Sequence, residues 1–176
     1  VLHRRRWFER AVLVSPLVDV IYGPWPRSLA AVLVWSANLA GLGAMYLPGV
    51  MKRPMGRSDF DRNPLTSDEW RWNRDSGILE TAPQLGLGGA TFSWLRAART
   101  SLRKVRRMGQ PTVPVLIVAA GADRVVSNRA IRKLAREVPG IALAVVPNAR
   151  HEILSERDAI RRQFLAAFDS FIPRPG

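Results

Sequence analysis

Three short apolar runs stand out along the chain. They are Ala11-Val12-Leu13-Val14, closed by Ser15-Pro16; Val113 to Ala120; and Ile141 to Pro147. Each has strand length, is rich in β-branched residues and does not alternate with polar positions. Strands covered on both faces look like this, which predicts a parallel sheet under helices. Helical periodicity follows the last two runs. From the N-cap candidate Ser127, apolar positions recur at Ile131, Leu134 and Val138 before Pro139-Gly140 stop the pattern. Ser155 with Asp158 has the spacing of a capping box, and Ile160, Phe164, Phe168 and Phe171 then form one stripe ending near Pro173. Strand, helix, strand, helix places the chain in the α/β class, a parallel sheet flanked by helices.

Roughly ninety residues separate the first run from the second, too many for a plain connection and typical of an inserted lid. Pro24, Pro26, Pro48, Pro54 and Pro64 cut this stretch into short pieces, and Thr66 with Glu69 predicts the start of a helix through Trp70 and Trp72. Ser28 to Val50 carries no charge and is long enough to cross a bilayer, but Ser36, Asn38, Gly41, Gly43 and Pro48 dilute it. The expectation is an apolar helix within a mainly helical cap, facing a substrate channel or lying on a membrane surface. The predicted organisation is core strand 1–18, cap 19–110 and C-terminal core 111–176.

Composition narrows the chemistry. With 47% apolar residues the 176-residue chain can bury a core, so global disorder is excluded. No cysteine is present, and His3 and His151 are the only histidines. Thiol nucleophiles and disulfides are thereby ruled out, two histidines argue against a multi-histidine metal site, and no cofactor is implied. The formal charge of +13 favours anionic partners. Its densest stretch is Arg96, Arg99, Arg103, Lys104, Arg106 and Arg107. With Leu95, Leu102 and Val105 between them, these residues read either as a solvated helix face or as a basic amphipathic helix on an anionic membrane. No nucleic-acid-binding signature accompanies the charge. The sequence starts at Val1 with no visible signal peptide, which is expected if residues are missing upstream.

Two residues carry candidate chemistry. Asp123 lies in Gly121-Ala122-Asp123-Arg124-Val125-Val126 directly after the second run, where open α/β sheets place their sites. Its spacing alone equally allows a turn-forming or capping aspartate. His151, in Asn148-Ala149-Arg150-His151-Glu152-Ile153-Leu154, follows the third run. A carboxylate and an imidazole at one sheet edge can orient each other, leaving Nε2 to take a proton from a serine hydroxyl. The order strand, Asp, helix, strand, His, helix is the second half of the Ser…Asp…His order of α/β-hydrolases.

At these residues the chain resembles the bacterial lysophospholipase and monoacylglycerol-lipase branch of the α/β-hydrolases, a branch related to serine aminopeptidases of the S33 type. Pro114 to Val126 is similar to the Asp-bearing strand of that branch, Asn148 to Leu154 to its histidine loop, and Phe8 to Pro16 to the strand after its nucleophile helix. Phe60 to Asp68 and Leu87 to Leu95 resemble its cap. The resemblance implies the C-terminal part of an α/β-hydrolase fold, catalytic roles for Asp123 and His151, and hydrolysis of a lysophospholipid or monoacylglycerol through an acyl-enzyme. It also implies a cytoplasmic or peripheral inner-membrane place in a bacterium, with peripheral contact to anionic membrane. Leu29, Val32, Leu33, Leu39, Leu42 and Met45 are then candidate lining for the acyl chain. One departure is large: no Gly-x-Ser-x-Gly elbow occurs. Ser15 lacks flanking glycines and is not the nucleophile, so the elbow is expected upstream, with Val1 to Trp7 as the tail of its helix. The alternatives are a non-catalytic basic module binding anionic membrane or nucleic acid, and another reaction on the same fold.

Overall fold

The structure is a computed structural model and describes residues 8–20 and 26–173; Val1 to Trp7 lie outside them. Three parallel strands form one sheet in the order β1 (Ala11–Val14), β2 (Val115–Ala120), β3 (Ile141–Val146). Val14 is paired with Val118, and Ala120 with Val146. Only the central β2 is buried along its whole length; β1 and β3 are partly exposed. All three runs predict two-sided burial, and the difference arises because, among the described residues, the outer strands have a neighbour on one side only.

The period-two geometry of β2 divides its side chains between two apolar layers. Leu116, Val118 and Ala120 pack with Val146, Ile153 and Phe164, joined by Ile160, Phe168 and Phe171 of α5 (Asp158–Phe171). Val115, Ile117 and Ala119 pack on the other face with Val126 and Ile131, joined by Leu134 of α4 (Asn128–Glu137). The predicted stripes on both helices are therefore the faces that meet the sheet. Ser127 caps α4, accepting the amide of Ala130 at 3.2 Å. The capping box proposed at Ser155 and Asp158 does not form. Ser155 sits in a short 3-10 turn, Arg157 takes the N-cap position without a side-chain bond, and Asp158 is drawn to Arg71.

Between β1 and β2 run α1 (Arg27–Leu39), α2 (Glu69–Thr81) and α3 (Phe92–Arg107), with 3-10 turns at Arg57–Arg62 and Pro83–Leu85. The uncharged stretch is not one helix. α1 ends at Leu39, the chain turns through Gly41 at φ +76°, and Tyr46 makes a β-bridge to Thr91. No helix among the described residues is long and apolar enough to cross a membrane. α1 packs against α3, where the Ser93 hydroxyl donates to Asn38 Oδ1 at 2.9 Å. α2 begins at Asp68 rather than Thr66. Asp68 accepts the amide of Arg71, while the Thr66 hydroxyl donates to Ser155 O at 2.7 Å.

Candidate active site

The loops after β2 and β3 leave the sheet side by side and bond to each other through the main chain. Gly121 N donates to Val146 O at 2.8 Å, and Ala122 N to Ala149 O at 2.9 Å. A Cβ at Gly121 would lie 2.9 Å from Val146 O, so glycine is what lets the two exits approach. Asn148, at φ +61°, makes the sharp entry into the second loop.

This juxtaposition joins the two predicted residues. Asp123 Oδ2 lies 2.9 Å from His151 Nδ1. The other oxygen, Oδ1, accepts the amides of Val125 at 2.7 Å and Val126 at 3.0 Å. The Asp123 side chain is 0% exposed, whereas that of His151 is 23% exposed. A buried carboxylate with two amides on one oxygen is held in orientation, so its other oxygen faces the imidazole at Nδ1. His151 Nε2 has no hydrogen-bond partner among the described residues. Asp123 is thus also the turn-forming aspartate that its spacing allows; the two roles use different oxygens.

The histidine loop is held from the segment between β1 and β2. His151 N donates to Pro64 O at 3.3 Å and Glu152 N to Leu65 O at 2.8 Å. The Arg150 guanidinium donates to Asn63 O at 3.0 Å and Thr66 O at 2.8 Å. Asn63 Oδ1 accepts the amides of Leu65 and Thr66, shaping the turn that the loop grips. Arg71 bonds Asp68 and Asp158 together, the latter at 2.6 Å. This contact raises the Arg71 pKa and lowers that of Asp158, first through the Arg71 hydrogen bond and then through Arg161. In the 3-10 turn, Asp59 is lowered to about 2, chiefly by its hydrogen bond to Arg53 and next by the Gly56 amide.

Other sequence candidates lie elsewhere. Leu33, Leu39, Leu42 and Met45 are exposed on the stretch between β1 and β2, as are Leu29 and Val32. The cleft that borders the loops after β2 and β3, about 490 Å³, is lined by other residues. They include Arg62, Arg124, Arg150 and Arg157, with Asp61 as the one acid. Arg62 and Arg124 make no side-chain hydrogen bond or ion pair among the described residues. Ser15 ends β1 at φ +42°, buried, with a hydroxyl that has no partner among the described residues. A shielded hydroxyl without a bond to His151 is not a nucleophile in this arrangement. Among the described residues no three His, Asp or Glu side chains gather as a metal site. Sequence patterns did not mark Arg150, Glu156 or Ser67. Their signal is tertiary, since the Ser67–Glu156 contact spans 89 positions.

The chain matches the serine aminopeptidase S33 family over residues 1–158. It is 27% identical to a probable lysophospholipase L2 of Haemophilus influenzae over 165 residues, covering 93% of this chain and 51% of that protein. It is 32% identical to lysophospholipase L2 of Escherichia coli K12 over 123 residues, 65% of this chain and 36% of that protein. The chain thus spans about half or less of the length of the curated relatives it matches. In fold it is similar to a soluble variant of monoglyceride lipase from Saccharomyces cerevisiae solved with a substrate analogue. There the TM-score is 0.59 at 17% identity, covering 91% of this chain and 54% of that one. The monoacylglycerol lipase of Paleococcus ferrophilus gives a TM-score of 0.54 at 16% identity, over 93% and 58% of the two chains.

Proposed function

Because this chain belongs to the serine aminopeptidase S33 family of α/β-hydrolases, we propose that it supplies the acid and base of a serine ester hydrolase acting on lipid esters. The observation that carries this is the Asp123–His151 contact at the mouth of the parallel sheet. In the proposed reaction His151 Nε2 takes the proton of a serine hydroxyl as its oxygen bonds to the ester carbonyl carbon. The same proton passes to the leaving alcohol as the carbon–oxygen bond breaks, leaving an acyl-enzyme. Water then attacks with the same proton relay and the fatty acid departs. The serine would come from outside these 176 residues, which contain no Gly-x-Ser-x-Gly.

Lysophospholipid is favoured over monoacylglycerol as substrate by the arginine-rich cleft beside the two loops. A phosphodiester gives guanidinium groups a partner, and a glycerol head does not. The names of the curated relatives support the same choice. The exposed apolar face of α1, with Trp35 63% and Leu39 73% exposed, lies next to the basic α3. Together they suit peripheral contact with an anionic lipid surface, such as the inner membrane of a bacterium. The test is hydrolysis of lysophosphatidylcholine and monoacylglycerol of equal acyl length by the whole protein, with and without His151→Ala. Turnover of the lysolipid that disappears in the variant is the expected result; unchanged turnover removes His151 from the mechanism.

A further inference from the structure

Glu156 is 0% exposed, and among the described residues no lysine or arginine forms an ion pair with its carboxylate. Its oxygens bond instead to two parts of the chain. Oε1 accepts the amide of Arg150 at 2.8 Å, while Oε2 accepts the amide of Ser67 at 3.1 Å and the Ser67 hydroxyl at 2.5 Å. A buried carboxylate is costly unless such donors meet it, and an apolar residue of similar volume would fill the same space more cheaply. The charge is placed where its orienting bonds matter. Arg150, His151 and Glu152 present three consecutive amides, and none is satisfied within the turn they form. They go to Glu156, Pro64 O and Leu65 O.

We infer that Glu156 is a positioning residue for the general base. Through the Arg150 amide it sets the main chain immediately before His151, and through Ser67 it refers that setting to the cap. The imidazole therefore meets Asp123 at bonding distance only while the cap segment 63–67 is seated. This rests on the role proposed for His151. The segment has other ties that survive loss of the carboxylate. The Arg150 guanidinium holds Asn63 O and Thr66 O, the Thr66 hydroxyl holds Ser155 O, and Arg71 holds Asp158. Glu156→Gln keeps the side-chain volume but turns one acceptor into a donor facing an N–H group, so the loop shifts without coming undone.

The experiment uses the whole protein with Glu156→Gln and, as a milder variant that keeps the Arg150 bond, Ser67→Ala. Turnover of a soluble short-chain ester is normalised to sites titrated with a serine-directed phosphonate. Proton NMR follows the downfield resonance of the His151 Nδ1–H shared with Asp123. For Glu156→Gln, kcat per titrated site falls about ten- to a hundredfold with KM little changed, and the downfield proton broadens or moves upfield. Ser67→Ala moves both in the same direction by less. Wild-type kcat per titrated site with an unshifted proton in Glu156→Gln overturns the inference, as does activity lost only in proportion to folded protein. If the wild-type protein neither hydrolyses esters nor reacts with the phosphonate, the proposed function fails, while the proton signal still decides whether Glu156 sets the imidazole.

Discussion

Asp123 gives one carboxylate oxygen to His151 Nδ1 and the other to the amides of Val125 and Val126, so the residue that shapes its turn also orients the imidazole. A carboxylate free to rotate would hold the ring poorly. Here the turn that leads into α4 takes up that freedom.

The first expectation concerns Asp123→Asn. The amide can keep its oxygen on the two turn amides, which leaves its NH2 facing His151. Nδ1 must then accept, the proton moves to Nε2, and the base is lost. Turnover by the whole protein should fall by on the order of 10⁴, as for the same exchange in a serine protease, with a melting temperature near wild type. Stopped assays and thermal melting measured side by side check this. A variant of normal activity would mean that the pair is structural.

His151→Ala should be the more severe change, on the order of 10⁶ in kcat, because it removes proton acceptor and donor together. The 176-residue chain alone should show no turnover above that variant, for want of a Gly-x-Ser-x-Gly serine. Comparing initial rates of the two preparations on one lysolipid tests both statements.

Acid should loosen the cap before it reaches the sheet. Asp59 has a folded pKa of about 2 against an ordinary 3.8, and Asp158 is also lowered. Lowered carboxylates stabilise fully above the ordinary value, and that contribution is lost as pH falls toward the folded one. Buried Trp72, whose Nε1 donates to Arg57 O, reports on the same turn. Its emission should stay constant down to about pH 4 and shift between about 4 and 2. A shift centred well above pH 4 would assign acid sensitivity to other groups. Asp59→Asn should flatten the dependence.

Ile131 is 0% exposed beneath β2 and packs with Ile117. Ile131→Ala should cost about 2–5 kcal/mol of stability, through lost transfer energy and a residual cavity. Its kcat per folded site should stay near wild type, since the main-chain bonds between the two loops and the Asp123–His151 contact do not involve its side chain. Denaturant titration and active-site titration separate the two effects.

Trp35 and Leu39 are exposed on α1 among the described residues. Trp35→Ser with Leu39→Ser should weaken cosedimentation with anionic vesicles while leaving the melting temperature unchanged. High salt should weaken the remainder, which depends on the basic face of α3. Unaltered cosedimentation would remove α1 from the lipid contact.

Much of the core was legible without coordinates because its causes are local. Unbroken β-branched runs, apolar stripes at helical spacing and the Ser127 cap are all written within a few residues. The position of Asp123 and His151 after successive strands follows from the same order. The helix starts at Asp68 and Arg157 were not legible. Thr66 and Ser155 have capping chemistry, but Thr66 uses its hydroxyl on the carbonyl of Ser155 in the distant loop.

What the sequence determines by itself, then, is the alternation of strand and helix and the chemical identity of the proposed acid and base, since periodicity and residue type act at short range. What only the tertiary structure decides is how the base is held. The segment 63–67 and the loop 148–156 meet across nearly ninety positions, and Asn63, Ser67, Arg150 and Glu156 have no distinguishing neighbours in the chain. Their role exists only as mutual satisfaction of buried polar groups, a property of the folded arrangement that no short stretch of sequence contains.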